Sequence, residues 1–285
     1  MNNPVNYYYR IAGITYRVTM PEQYAYTAHA SLRDYLTDPC EADRFVVLDV
    51  ADELPLPAAK PVYSDHQRIV YPDGNDYVIY DGGTPPYLRI RVQGSQTCAT
   101  VLRSNIPYGI TVSLVMWVMT LPQDLIHRGG FLLHASYIGW EGKAILFTAP
   151  SGTGKSTQAS LWEKFRGSTL HNGDRAAVMI TEQGVFAHGV PFCGSSGVNE
   201  NVTLPIAAIV ALSQAPQTTI SRIRGLQAFR LIWEGCTVNH WNRQDMSRCM
   251  DLVSHVVQHV PIFHLACTPD LSAVTVLEKE ILNLR

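Results

Sequence analysis

"FTAPSGTGKSTQASLW", residues 147–162, joins an apolar run to an amphipathic one through a glycine-rich turn. The residues leading in, "KAILFTA", read as a short buried strand. The residues leading out, "KSTQASLWEKFR", have helical spacing, with Ala159, Leu161, Trp162 and Phe165 available for a buried side. Between them, Ala149-Pro-Ser-Gly-Thr-Gly-Lys155-Ser156 has the spacing of a phosphate-binding P-loop, with Ala149 in place of its first glycine. Each part has a physical reason. Gly152 and Gly154 let backbone N–H groups, with those of Ser151 and Thr153, turn inward around an anion. The helix start aims free N–H groups at the same point. Lys155 supplies a point charge for the phosphates, the Ser156 hydroxyl a ligand for Mg²⁺, and Thr157 a hydrogen bond to a phosphate. A ligand-free strand–helix turn would need none of these together.

Downstream, "STLHNGDR" reads as a short strand and a turn, so Asp174 comes 19 residues after Lys155. That is long enough for one helix and one strand, and it returns Asp174 to the side of the loop. "AAVMITEQGVFAHGVPF" then reads as two strands with a tight turn at Glu182-Gln183-Gly184, and "IAAIVALSQ" as a further buried strand. The tail offers helices near 226–234 and 243–259, a strand in "PIFHLACTP" and a last helix from Ser272. No strand ending in Asp-Glu and no N-K-x-D motif follows, which counts against a motor or transporter ATPase and a GTPase switch.

Upstream, "GFLLHASYIGWEGKAILFTAP" reads as a hairpin turning at Glu141-Gly142. Residues 106–128 read as one largely buried helix, and "ITVSLVMWVMTL", 110–121, is too short to span a bilayer. Residues 1–105 read as β-rich, with a hairpin at Asp73-Gly74, strands in "RFVVLDVA", "YLRIRVQG" and "TCATVLRS", and a short helix within "PEQYAYTAHASLRDYL". No motif with chemistry falls there.

Composition bounds the rest. The chain has 285 residues, 46% hydrophobic and 16% charged, with a formal net charge of −2. That suits a packed core and lacks the basic footprint of a nucleic-acid binder. The six cysteines form no C-x-x-C pair, and the first residues carry no apolar signal region. The expectation is reduced thiols, a cytoplasmic location and neither membrane nor nucleic acid as partner.

The pattern "LLHAS…GKAILFTAPSGTGKST…LHNGDRAAV" resembles the HPr serine kinase/phosphorylase family and its shorter relatives, which include kinases of ribosomally made precursor peptides. The resemblance covers about residues 130–215. It implies an α/β fold: a mixed-sheet P-loop kinase domain of HPr-kinase/phosphoenolpyruvate-carboxykinase type over 106–285, with an N-terminal β-rich accessory domain over 1–105. It implies ATP and Mg²⁺, transfer of the γ-phosphoryl group to a hydroxyl, and a peptide or small protein as acceptor. Because the family's kinases are oligomeric, it also allows a homo-oligomer.

The family has a His in the strand before the P-loop, matched by His134, and an Asp pair after the P-loop helix. Here that pair reads Gly173-Asp174. The resemblance makes Asp174 the base for the incoming hydroxyl and His134 its partner. With one Asp missing, Asp174 serves either as base or, with Ser156, as a metal ligand. Asn172 or Glu200 would then fill the vacant polar place. A nucleotide-binding regulatory module that has lost turnover, and a kinase of small-molecule hydroxyls, are the alternative readings.

Three other features stand apart from the loop. "GVPFCGSSGVNENV", 189–202, is a second Gly/Ser-rich loop, either a close neighbour of substrate or an ordinary connection. Cys193 within it has no basic neighbour in sequence and reads as a buried thiol. Asp251, His255 and His259 share a helical face, which reads as a solvated polar face ahead of a zinc site.

Overall fold

The computed structural model describes residues 4–25, 30–74, 76–106 and 112–284. By contacts the chain divides into two units, Met1–Leu121 and Pro122–Arg285. The sequence suggested a boundary at 105/106; residues 107–111, just beyond it, lie outside the described set.

The first unit carries β1 (Pro4–Ile11), β2 (Ile14–Pro21), α1 (Ala30–Arg33), β3 (Arg44–Ala51), β4 (Tyr63–Ser64), β5 (Arg68–Asp73), β6 (Asp76–Asp81), β7 (Leu88–Gln93), β8 (Gln96–Leu102) and α2 (Val112–Val118). Its strands form one mixed eight-stranded sheet, in the order β1-β2-β3-β8-β7-β6-β5-β4. Alternation in "ITYRVTM" buries Ile14, Tyr16, Val18 and Met20 on one face, as the period of a strand requires. The hairpin read at Asp73-Gly74 forms with its turn one residue later: Asp73 is the last residue of β5, opposite Asp76, and Gly74, at φ +63°, opens the turn; Asn75 is not described. The helix expected within residues 21–36 is short: α1 has four residues, and 26–29 are not described.

The helix expected over 106–128 is two helices. α3 (Leu121–His127) follows α2 after a break at Thr120, whose φ is +52°. Pro122 explains the break: it has no N–H for the carbonyl one turn back, but it is tolerated in the first turn of a new helix. The face is not wholly buried either, since Trp117 is 57% exposed.

The second unit adds β9 (Gly130–Trp140), β10 (Lys143–Thr148), α4 (Lys155–Arg166), β11 (Thr169–Asn172), β12 (Arg175–Thr181), β13 (Gly184–Gly189), β14 (Thr203–Gln214), β15 (Thr219–Ile223), α5 (Gly225–Gly235), β16 (Cys236–Thr237), α6 (Arg243–His259), β17 (Ile262–Cys267) and α7 (Leu271–Leu282). These strands form a second mixed sheet. β9 serves two sets of partners: its first half pairs with β12 and its second half with β10. β14 likewise pairs antiparallel with β13 and parallel with β10 and β17.

Apolar side chains pack on both faces of this sheet. On one, Trp162 of α4 stands edge-on to Trp140 at 5.1 Å, with Phe147, Phe263 and Leu277 buried around them. On the other, Ile232, Val253 and Val256 of α5 and α6 cover Leu133, Leu146 and Ile209. Each fully buried side chain of this size contributes about 1.5–3 kcal/mol of transfer free energy.

One polar pair fastens α3 to α6. Asp245 is almost wholly buried, and its two oxygens are met by His127 Nε2 at 2.8 Å and by Asn242 Nδ2 at 2.9 Å. The hydrogen bond to Asp245 raises the pKa of His127 above the ordinary 6.5, against partial burial. A raised histidine contributes stability that is fully present below 6.5 and lost as pH rises through the folded value. The contribution of His127 to the melting temperature is therefore expected to shrink as pH rises above 6.5, and His127→Gln is expected to remove that component. A His127→Gln melting curve with the same pH slope as wild type would refute this.

Candidate functional site

The glycine-rich loop leaves β10 at Thr148 and enters α4 at Lys155, as its sequence requires. Gly152 and Gly154 have φ of +78° and +123°, backbone that L side chains rarely adopt. No side chain caps α4, so its first N–H groups remain available to an anion. Ser151, Ser156 and Thr157 are exposed at the loop and the helix start. Lys155 is largely buried, and its ammonium donates to the carbonyl oxygens of Ala149 (2.8 Å) and Pro150 (3.4 Å). Burial lowers its pKa from 10.5, partly offset by the charge of Asp174.

The bifurcated pairing of β9 brings the other residues to this loop. Ala135 pairs with Thr148, the last residue of β10, while His134 pairs with Arg175, the first residue of β12. The Thr148 hydroxyl donates to the His134 carbonyl at 3.0 Å, and the Ala135 N–H donates to the Asp174 carbonyl at 2.9 Å. The start of the loop and the Asp174 turn therefore emerge side by side at one point on β9.

The Asp174 carboxylate faces a cation or ring nitrogen on each side. Oδ1 lies 3.4 Å from His134 Nε2, and Oδ2 lies 3.3 Å from Arg175 Nε. Arg175 is anchored in turn by Nη1 donating to Thr237 Oγ1 at 2.6 Å. Burial is the first cause lowering the pKa of His134, followed by the charge of Lys155, with Asp174 opposing. Burial and the neighbouring cations thus work against a positive charge on the imidazole.

Two sequence candidates have other partners. Asn172 is fully buried: its carboxamide donates to Val190 O and accepts from the backbone N–H of Asp174 and of Arg175, both at 2.9 Å. It braces the turn that presents Asp174. Glu200 is paired with His171 Nδ1 at 2.6 Å.

The Gly/Ser-rich loop is a neighbour of Asp174. A Cβ placed on Gly194 would come within 2.9 Å of Asp174 Cβ and 3.2 Å of its Oδ1. A Cβ on Gly173 would overlap the Cβ and Oγ of Ser196, whose hydroxyl donates to Cys193 O at 2.7 Å. The place of a side chain at 173 is thus taken by Ser196. Gly173→Ala is expected to displace this loop and cost about 1–3 kcal/mol, the usual penalty of overpacking. Adding Ser196→Gly is expected to restore stability in thermal denaturation. Equal stability of wild type and Gly173→Ala would refute the close approach.

The sequence reading missed Thr237 as a neighbour of this site. It held the loop of Gly194 and Ser196 as either a close neighbour of substrate or an ordinary connection, and glycine at 173 and 194 marks the close backbone approach. It also missed a cavity of about 610 Å³ beside the glycine-rich loop, lined by Gly152, Thr153, Thr157, Gln158, Leu212 and Cys267 among others. Its residues come from three separate segments, which sequence spacing does not connect.

Comparison with known proteins places the chain. The family model described as "SynChlorMet cassette protein ScmC" matches residues 102–274, more than half of the chain. The protein belongs to that family. Among solved structures it is similar to the Hpr(Ser) kinase/phosphatase from Coxiella burnetii, at 12% identity and a TM-score of 0.31, over 54% of this chain and 90% of that one. At that level the likeness bears on neither activity nor substrate. No curated protein matches the chain. Among the described residues no helix is long and apolar enough to cross a membrane.

Proposed function

We propose that the second unit is an ATP-dependent phosphotransferase that moves the γ-phosphoryl group to a hydroxyl. The observation that carries this reading is the convergence on β9 of the glycine-rich loop with its buried Lys155 and of Asp174 held between His134 and Arg175. The loop amides and Lys155 hold the phosphate chain, Lys155 exchanging its two carbonyl partners for phosphate oxygens. The adjacent cavity of about 610 Å³ has room for the nucleoside. Ser156 would hold Mg²⁺, which would supply charge neutralisation at the phosphates. Asp174 takes the proton of the attacking hydroxyl, and His134 orients it.

The acceptor we favour is a Ser or Thr hydroxyl of a peptide or small protein. Gly194 and Ser196 of the Gly/Ser-rich loop pack directly against Asp174 and Gly173, so that loop is the wall such an acceptor would meet. A second reading, nucleotide binding without transfer, draws on the space at Gly173 being filled by Ser196 instead of a second carboxylate. γ-Labelled Mg-ATP, given to wild type and Asp174→Asn with a mixture of Ser- and Thr-containing peptides and alongside ATP binding, separates the two. Transfer predicts label in peptide or in released phosphate that Asp174→Asn loses; binding alone predicts neither from either protein.

A further inference from the structure

A groove of about 530 Å³ opens between α5 and α6, at the end of β17 away from the glycine-rich loop. Ile262, the first residue of β17, lines it, whereas Cys267, the last, lines the cavity beside the loop. The two ends are about 17 Å apart along the strand. The groove is apolar at its floor, where Phe229 and Val257 meet, and Leu226 beside them is 64% exposed. Two arginines, Arg222 and Arg224, stand on its rim, and no carboxylate lines it. Neither arginine has an ion-pair partner among the described residues.

An exposed leucine over an apolar floor, edged by unpaired cations, is complementary to one kind of ligand. That ligand is a peptide segment with an aliphatic anchor flanked by Asp or Glu. α5 connects this groove to the candidate site. It begins beside Leu226, and at its far end a Cβ on Gly235 would lie within 3.2 Å of Thr148 Oγ1. Its 11 residues span about 16 Å. The groove and the start of the glycine-rich loop thus lie at opposite ends of α5.

We infer that the α5–α6 groove, through Leu226, Phe229, Arg222 and Arg224, docks an acidic peptide segment of the phosphoryl acceptor, remote from the hydroxyl that is modified. The identity of the ligand as acceptor rests on the phosphotransferase reading; the binding itself does not.

The test is fluorescence anisotropy of the full chain with a short fluorescein-labelled peptide of Glu, Asp and Leu, against the same peptide carrying Lys at every acidic position. The acidic peptide is expected to bind, more weakly as salt rises, and the basic one not to. Arg222→Glu with Arg224→Glu is expected to weaken binding at least about tenfold, and Leu226→Asp to abolish it, with ATP binding unchanged in both proteins. Equal binding of the two peptides, binding of neither, or no loss in the double variant would overturn the inference. So would self-association of the chain that Leu226→Asp removes, since that would give the groove to a second copy. None of these outcomes touches ATP binding or phosphate release, which judge the phosphotransferase reading separately.

Discussion

Asp174→Asn is expected to lower phosphoryl transfer by about 10²–10⁴-fold, the range for losing a positioned general base. Affinity for ATP is expected to stay within a few-fold of wild type. The substitution is nearly isosteric, and the carboxylate makes no hydrogen bond that holds the fold: its neighbours are His134 at 3.4 Å and Arg175 at 3.3 Å. The turn itself is braced from elsewhere, by the Asn172 side chain on the backbone N–H of residues 174 and 175. The variant should therefore fold with its loop intact and lack only the group that takes the proton. The effect should appear in kcat, because the lost interaction is made in the transition state.

Lys155→Ala is expected to act on both binding and transfer. In the unliganded chain this ammonium is desolvated and held on the Ala149 and Pro150 carbonyls. Its charge is already separated from water, so little reorganisation remains when phosphates replace the carbonyls. Removing one such preorganised donor costs transfer about 10²–10³-fold, and removing the charge also weakens the phosphate complex. Calorimetric titration with Mg-ATP should show the affinity falling by at least about tenfold. Unchanged affinity would mean that the nucleotide does not lie over this loop. The alanine also empties a buried position, so the melting temperature of the variant serves as the control.

Much of this arrangement was readable from local chemistry. The glycine-rich loop announces itself because the residues that shape it are contiguous and each has one role. The hairpins at Asp73-Gly74 and Glu141-Gly142 were legible from their glycines, which adopt positive φ freely; Gly74 and Gly142 have φ of +63° and +73°. Residues 106–128 misled because apolar periodicity runs on through Pro122, where the backbone cannot. β15 and β16 went unread: five and two residues carry too little pattern to separate from a loop.

The site was legible in part. Spacing returned Asp174 towards the loop, but not the divided pairing of β9 that places His134 opposite Arg175. Asn172 and Glu200 were read as candidates for the place of the missing carboxylate, and their partners Val190 and His171 could be found only in three dimensions. Gly173 looked like the loss of a carboxylate. Its neighbour Ser196 gives it a steric reason as well, which sequence spacing does not disclose.

The central claim is that one site holds ATP on the glycine-rich loop and transfers its γ-phosphoryl group with Asp174 as base. The most direct measurement follows γ-labelled Mg-ATP on wild type and Asp174→Asn in parallel, recording bound nucleotide and released or transferred phosphate in the same samples. The account predicts that both proteins bind ATP and that only wild type turns it over. Equal turnover by the two proteins, or a wild-type chain that binds no ATP, would contradict it.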